Sequence, residues 1–492
     1  MTLSHLIDEI EYTQLWGDDQ LPIGQIDFDS RQVNDKSLFV AVKGTQTDGH
    51  QYINAVLNAG TKVIIAERDP SEEELKTSTA WVKVPNTAIA LGQLASAFYG
   101  HPSRWLKLIG VTGTNGKTTT ATILYQLFQE LGFRTGLLST VENCIGDQVL
   151  GASHTTPDAV QINQLLAKMV DAGCEYAFME VSSHAIDQHR IESLQFVGGI
   201  FTNISKDHLE YHGSMKNYIE VKKKFFDNLP KEAFALVNID DKRGDVMLQN
   251  TKAAYHRYSL RSMADFKARV IENTAQGLHL DMNGDEIFTR LLGGFNAYNL
   301  LAAYGTAILL KQDKDEILRV LSGIKGAAGR ASYVRDPSGK ITAVIDYAHT
   351  TDALDKICQT LKDILPKGKK LITVFGCGGD RDKAKRPLMA NAACKHSNTV
   401  IITTDNPRTE APEAILDDIE KGVPEEMKTS VLRISDRRSA ILTACSLANV
   451  GDVVLVAGKG HENYQDIMGT KQPFDDTQVL NDYFTRNIKT LN

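Results

Sequence analysis

The 492-residue chain carries 54 Lys+Arg against 61 Asp+Glu, a formal charge of −7, with 42% hydrophobic and 23% charged residues. This composition excludes a disordered, collagen-like or membrane-embedded chain, and its mild acidity argues against a general nucleic-acid binder, which needs a basic face. At roughly 150 residues per domain, the length predicts about three domains.

Residues 1–100 hold short apolar runs at Leu38–Val42, Lys62–Ala66 and Trp81–Val84, with helical spacing over 51–60 and Gly60 placed to end that helix. They predict a small N-terminal α/β domain. His101-Pro102-Ser103 interrupts the pattern and is expected to be a linker. A second domain, 101–331, opens with a strand over Leu106–Val111 and a Gly/Thr-rich loop. Leu124, Leu127, Phe128 and Leu131 then fall at i, i+3, i+4 and i+7, one face of a helix running from Lys117 to Leu131. Further strands are predicted at Tyr176–Val181, Val197–Ile204 and Phe234–Ile239, giving a mostly parallel sheet flanked by helices, and 255–295 reads as β-rich. The Gly-, Ala-, Ser- and Pro-bearing segment 326–340 marks the next boundary, and 332–492 forms the third domain. There, strands at 341–346, 370–375, 399–404, 430–434 and 452–457 alternate with helices near 352–364, 387–396, 412–422 and 436–448. That alternation predicts a Rossmann-like open sheet. The six cysteines form no CxxC pair, and no apolar run reaches about 18 residues. With no signal-peptide pattern at the N-terminus, a reduced, cytoplasmic protein without membrane insertion is expected.

The strongest local signal is Gly110-Val111-Thr112-Gly113-Thr114-Asn115-Gly116-Lys117-Thr118-Thr119, between a predicted strand and a predicted helix. This is the setting of a phosphate-binding loop, in which glycines turn backbone N–H groups toward phosphate oxygens at a helix N-terminus. Lys117 would reach the β- and γ-phosphates, and the Thr118 hydroxyl would ligate Mg²⁺. Val111 stands where the strict pattern has Gly, so the loop is a variant. Mg²⁺ binds one or two protein carboxylates besides phosphate oxygens. Glu180 and Asp207-His208 follow predicted strands of the same sheet, at the ends where α/β proteins bind ligands.

Gly113–Thr119, Glu180-Val181-Ser182-Ser183-His184 and Asn203–Gly213 (NISKDHLEYHG) together resemble the Mur ligases, which build the peptidoglycan stem peptide. The resemblance continues through Gly293–Asn299, Gly329-Arg330, Asp346-Tyr347-Ala348-His349, Gly376–Asp382, Asp405-Asn406-Pro407-Arg408 and Gly458–Glu462, in order and over essentially the whole chain. It departs at Ala331-Ser332, where a bulky residue and Glu are common, and at Thr351, where Pro is frequent.

The resemblance implies an ATP-dependent ligase of cell-wall biogenesis, and hence of cell shape and cell division. It would activate the free D-Glu carboxylate of UDP-N-acetylmuramoyl-L-alanyl-D-glutamate as an acyl phosphate and then join it to an amine. It assigns ATP to Gly113, Thr114, Asn115, Gly116, Lys117, Thr118 and Thr119, with Asn296 near adenine and Arg330 and Asp346 near ribose or phosphates. It implies catalytic and Mg²⁺ roles for Glu180, His208 and a carbamylated Lys222, beside Lys117 and Thr118. The nucleotide-sugar peptide falls to Phe28, Ser30, Thr45, Gln46, Thr47, His154, Thr155, Thr156, Ser182, Gln188 and Arg190. The incoming amino acid falls to Arg381, Asp405, Asn406, Pro407, Arg408, Gly458 and Glu462. In this family it is mostly meso-diaminopimelate or L-lysine. Only the former has a second carboxylate for a bidentate guanidinium, so Arg408 favours meso-diaminopimelate. The competing readings are the lysine-adding relative and, in another class, a P-loop ATPase without ligase activity. A monomer acting on small molecules, without nucleic acid, is expected.

Overall fold

The computed structural model describes residues 1–44, 47–152, 154–336 and 341–488. Thr45 and Gln46, and the Pro337–Lys340 part of the predicted boundary segment, lie outside the described residues. The chain is α/β throughout and divides into two compact units. The first comprises Met1–Asp265 and Gly305–Lys311, the second Phe266–Tyr304 and Gln312–Asn492. No helix among the described residues is long and apolar enough to cross a membrane.

The first unit holds two sheets. Strands Gln14–Gly17, Ala80–Lys83, Val63–Ala66, Ser37–Val40 and Gln25–Asp27 lie side by side in that order, parallel except for the first. The apolar runs of the sequence form its three central strands, and Leu38, Phe39, Ile64, Ile65, Trp81 and Val82 have no exposed surface. The second sheet follows the order Ala254–Ser259, Phe234–Asn238, Phe196–Phe201, Lys107–Thr112, Tyr176–Glu180 and Thr135–Leu138, all parallel. It continues antiparallel through Glu142–Ile145 and Gln148–Gly151. Its inner strands are buried on both faces, which is why they read as continuous apolar runs rather than alternating ones. The helix Lys117–Glu130 packs Ile123, Leu124, Leu127 and Phe128 inward. The predicted linker at 101–103 is instead a short 3₁₀ turn, Pro102–Arg104, with Pro102 and Ser103 buried. Ser103 Oγ accepts the Gln195 N–H there, so this segment is built into the unit.

In the second unit, Phe266–Thr274, Gly277–Met282 and Asp285–Thr289 make an antiparallel meander, as the β-rich reading expects. A six-stranded sheet follows the order Ser332–Arg335, Thr342–Asp346, Val453–Ala457, Leu371–Phe375, Thr399–Ile402 and Val431–Arg433. All neighbours are parallel except the first pair. The last strand of the alternating series, Val453–Ala457, is thus inserted between its first two, Thr342–Asp346 and Leu371–Phe375. Beyond the five expected strands there is a hairpin, Tyr464–Ile467 with Thr470–Pro473, which the sequence reading did not contain.

Candidate active site

The phosphate loop joins the end of strand Lys107–Thr112 to helix Lys117–Glu130. Gly113 has φ +147°, and a Cβ there would collide with Thr202 Oγ1, so only glycine fits. Gly116 caps the helix in a left-handed conformation, so the loop runs directly into the positive dipole end of a 14-residue helix. The neighbouring strand end holds this shape. Thr202 Oγ1 donates to Asn115 O at 2.7 Å, and Asn203 Nδ2 donates to the same oxygen at 3.0 Å. Asn115 N donates to Asn203 Oδ1 at 3.1 Å, and Thr114 N to Asn203 O at 2.8 Å. Thr114 Oγ1 lies 3.1 Å from the Tyr218 hydroxyl. Thr202 and Tyr218 were not singled out from the sequence. Their signal is positional only, since nothing local marks them as loop supports. Lys117 Nζ donates to Gly113 O and Thr114 O at 3.0 and 2.9 Å, across the loop's own carbonyls.

Lys222 is the second lysine of this corner. It reads in sequence as one of three successive lysines, yet it is 1% exposed while Lys224 is exposed. Its Nζ donates to Gly113 O at 2.9 Å. Burial, reinforced by the Lys117 charge and only partly opposed by Asp207, pulls its pKa well below the ordinary lysine value. Burial therefore favours the neutral amine over the ammonium, and a neutral amine is nucleophilic. Glu180, at the end of Tyr176–Glu180, is fully buried. Its Oε1 accepts the Thr140 N–H at 2.7 Å, while Oε2 is buried with no hydrogen-bond donor. An orphaned carboxylate oxygen beside a phosphate loop suits a hard divalent cation such as Mg²⁺. Among the described residues no cluster of three or more His, Cys, Asp or Glu is arranged to hold a metal by itself. Mg²⁺ sites commonly draw their remaining ligands from phosphates and water. His208 has φ +52° and packs edge-on to His184, with Asp207 3.4 Å from its Nε2.

The residues expected to meet the nucleotide-sugar peptide are differently committed. Phe28 is exposed, Ser30 half-buried, and Asp29 forms a forked pair with Arg31 that holds its carboxyl down at about 2. Thr47 and His154 are exposed. Thr155 Oγ1 accepts from Thr140 Oγ1 at 3.1 Å. Thr156 is buried, donating to Glu180 O at 2.8 Å and accepting from Ser182 N at 3.1 Å, so its hydroxyl supports Glu180 directly. Ser182 is the N-cap of helix Ser183–Asp187. Arg190 donates to Thr156 O and, twice, to Gln188 Oε1, but among the described residues to no carboxylate.

At the C-terminal ends of the second unit's parallel strands, three loops converge. Asp346, ending Thr342–Asp346, accepts the Ala331 N–H at 2.7 Å, and burial raises its carboxyl to about 6 against the pull of Arg330. The Arg330 guanidinium lies over the Tyr347 ring at 4.6 Å. His461 packs on the same ring at 5.1 Å, and burial, then Arg330 and Lys459, push it down to about 4. Asn296 is buried, donating to Leu292 O and accepting from Asn299, so a base contact would use its second amide hydrogen or the second lone pair of Oδ1.

The loop Asp405–Arg408 is held from three sides. Gly379 N donates to Asn406 O, Gln465 Nε2 to Asp405 O, and Asp466 N to Asn406 Oδ1. Gly458 has φ +114° and no room for a Cβ beside Asp405 Oδ2. Arg408 sits at φ +51°, a conformation costly for any L side chain but Gly, Asn or Asp. It is kept there by Arg408 N donating to Asp466 O at 2.9 Å and Met468 N donating to Arg408 O at 2.7 Å. Its Nη1 donates to Gly379 O at 2.7 Å, and among the described residues it pairs with neither Asp405 nor Glu410. Glu410 is taken by the fully buried Arg386, through bonds of 2.8 and 3.1 Å, and accepts the Asp380 N–H. Arg381 is exposed, with no carboxylate partner among the described residues. Two guanidiniums of these loops thus have no carboxylate partner among the described residues. The sequence analysis did not assign a role to Arg386 or to the hairpin strand Tyr464–Ile467, whose contacts join residues far apart in the chain.

A phosphate loop on a parallel sheet, a buried carboxylate beside it and a separate α/β unit bearing anion-reading loops define a class of ATP-using ligase. Family models described as Mur ligase family, catalytic domain; Mur ligase middle domain; and Mur ligase, glutamate ligase domain match residues 22–99, 111–307 and 329–460. The UDP-N-acetylmuramoyl-L-alanyl-D-glutamate–2,6-diaminopimelate ligase of Cytophaga hutchinsonii is 52% identical, over 98% of both chains. The ligase of the same name from Bacteroides fragilis is 49% identical, over 99% of this chain and 100% of the relative. The chain belongs to the Mur ligase family. A solved structure titled as a UDP-N-acetylmuramoyl-L-alanyl-D-glutamate–2,6-diaminopimelate ligase covers 99% of both chains with a TM-score of 0.71 at 32% identity. A MurF ligase from Thermotoga maritima, solved in complex with ADP, shares the fold at 19% identity, with a TM-score of 0.62 over 95% of this chain and 98% of that one.

Proposed function

We propose that this protein ligates meso-2,6-diaminopimelate to UDP-N-acetylmuramoyl-L-alanyl-D-glutamate, hydrolysing ATP to ADP and phosphate. The observation that carries the choice of amino acid is Arg408, strained, locked by the hairpin and without a carboxylate of its own. A lysine substrate would offer that half-buried guanidinium no second carboxylate. The relatives at about half identity, named for the same reaction, support this reading.

In the proposed reaction the phosphate loop and Lys117 hold the β- and γ-phosphates. The D-Glu carboxylate attacks the γ-phosphorus, the bond to the bridging oxygen breaks, and ADP leaves an acyl phosphate. The amine of the second substrate then attacks the acyl carbon and phosphate departs. Phosphoryl transfer of this kind is mainly positioning and charge neutralisation, which loop amides and lysine supply. Thr118, Glu180 and His208 would hold Mg²⁺, which when bound neutralises phosphate charge. Neutral Lys222 would add CO₂ to give a carbamate and a proton, converting a buried cation into a further oxygen ligand. Asn296 is assigned to the adenine of ATP, and Arg330 and Asp346 to its ribose or phosphates. The residues named for the nucleotide-sugar peptide, Phe28, Ser30, Thr45, Gln46, Thr47, His154, Thr155, Thr156, Ser182, Gln188 and Arg190, keep that assignment. Arg381 and Arg408 read carboxylates of diaminopimelate, with Asp405, Asn406 and Pro407 shaping the site and Gly458 and Glu462 holding the distal amino-acid head, Glu462 at its ammonium. Domains 1–100, 101–331 and 332–492 would serve nucleotide-sugar, ATP and amino acid in turn, in a cytoplasmic monomer.

The test is phosphate release with ATP, Mg²⁺ and the UDP-linked dipeptide, comparing meso-diaminopimelate with L-lysine. Turnover with diaminopimelate alone is expected. Equal turnover with lysine refutes the specificity, and turnover with neither refutes the ligase.

A further inference from the structure

Lys459 is fully buried, yet it lies among polar groups. Its Nζ donates to Asn406 Oδ1 at 3.1 Å and to Glu462 Oε2 at 3.0 Å, and it lies 5.3 Å from the centre of the Tyr464 ring. Asn406 Nδ2 donates to the same Glu462 Oε2 at 2.8 Å, and Asp466 N donates to Asn406 Oδ1 at 3.0 Å. The Asn406 amide can therefore take only one orientation. Its oxygen faces two groups that only donate, and its nitrogen faces one that only accepts. A flip would break all three bonds.

The consequence falls on Glu462. Its Oε2 accepts from both Lys459 and Asn406, whereas Oε1 accepts from no described residue. Oε1 is not among the buried, partnerless atoms, and the side chain keeps 17% of its surface open. One carboxylate oxygen is thus fixed inside and the other presented outward. Burying an ammonium is costly unless it is paired and fully hydrogen-bonded, and ion pairs of this kind serve orientation better than stability.

We propose that Lys459 is a positioning residue for amino-acid recognition, locking Asn406 and Glu462 in the arrangement that presents Glu462 Oε1 to the distal ammonium of the incoming diamino acid. This rests on the assignment of Glu462 to that ammonium. Charge alone predicts the opposite effect. Lys459→Met removes a cation beside Glu462, which by Coulomb attraction would tighten binding of an ammonium. Loss of positioning weakens it.

The experiment compares meso-diaminopimelate with 2-aminopimelate, which keeps both carboxylates and lacks the distal amine, in the full-length wild-type protein, Lys459→Met and Glu462→Gln. Lys459→Met is expected to raise KM for diaminopimelate at least about tenfold, as loss of a charged hydrogen-bonding arrangement does. KM for 2-aminopimelate and for ATP should stay within about twofold, since neither uses Glu462. Should Lys459→Met not accumulate as folded protein, Lys459→Gln, which replaces the ammonium by a neutral amide, carries the same comparison. A fall in KM for diaminopimelate, or an equal rise for both amino acids, overturns the inference while leaving the Glu462 assignment intact. If Glu462→Gln leaves the ratio of the two KM values unchanged, the assignment and the inference both fall.

Discussion

Arg437 and Asp476 form an ion pair with no exposed surface on either side chain. Arg437 Nε donates to Asp476 Oδ1 at 2.8 Å, and Nη2 to Oδ2 at 2.7 Å and to Ala457 O at 3.1 Å. Nη1 is buried without an acceptor, so the pair does not recover its whole desolvation cost. Arg437→Met leaves a buried carboxylate unpaired, a change that costs about 3–5 kcal/mol. Asp476 begins the helix Asp476–Ile488, whose N-terminal dipole repays part of this, so the lower end, about 3 kcal/mol, is expected. That is roughly a hundredfold in an opening equilibrium. The double variant Arg437→Met with Asp476→Leu removes both charges and should recover most of the loss. Hydrogen exchange of the Val453–Ala457 amides measures it, because that strand ends at the carbonyl Arg437 holds. All three tryptophans, Trp16, Trp81 and Trp105, lie in the first unit, so their fluorescence serves as an internal control that should change less. A double variant no better protected than Arg437→Met would refute the argument that an unpaired buried charge sets the cost.

Three further outcomes follow from the site. Glu180→Gln keeps an acceptor for Thr140 but loses the charge of the orphaned oxygen, so the Mg²⁺ concentration for half-maximal activity should rise at least about tenfold, read by magnesium titration of phosphate release. An unchanged titration removes Glu180 from the metal site. Asp346, raised to about 6, holds a proton in the folded state over a pH range where the unfolded chain has released it. Its contribution to stability is therefore complete at low pH and is lost as pH rises through 6, by up to about 3 kcal/mol. Asp346→Asn should lack this slope in urea midpoints measured at pH 4 and 7, and an unaltered slope contradicts it. Arg408→Gly should relieve left-handed strain and remain within about 1 kcal/mol of the parent in stability, while KM for diaminopimelate rises more than about tenfold. A parallel rise in KM for ATP would make Arg408 a fold residue instead.

What could be read from the sequence tracks how local each feature is. The phosphate loop was legible because its chemistry depends on ten consecutive residues, a strand before them and an amphipathic helix after. The second unit's strands and helices were legible for the same reason, each carrying its own apolar period. Their order was not, because placing Val453–Ala457 between Thr342–Asp346 and Leu371–Phe375 is decided by which crossovers fit, a property no single segment carries. Lys222 shows the limit within one helix. Three adjacent lysines are equivalent in composition, and the packing of Val221 and Phe225 decides which one is turned into the protein. The amino-acid loops lie furthest from local reading. Asn406 meets Lys459, Glu462 and Asp466 across separations of 53, 56 and 60 residues, and Arg386 meets Glu410 across 24. Arginine and carboxylate types can be recognised in a motif, but which carboxylate is spent inside the protein and which guanidinium remains for a ligand is decided only when these loops close on one another. That division, Glu410 consumed by Arg386 while Arg408 is left to a backbone carbonyl, is the observation on which the proposed reading of a second carboxylate rests.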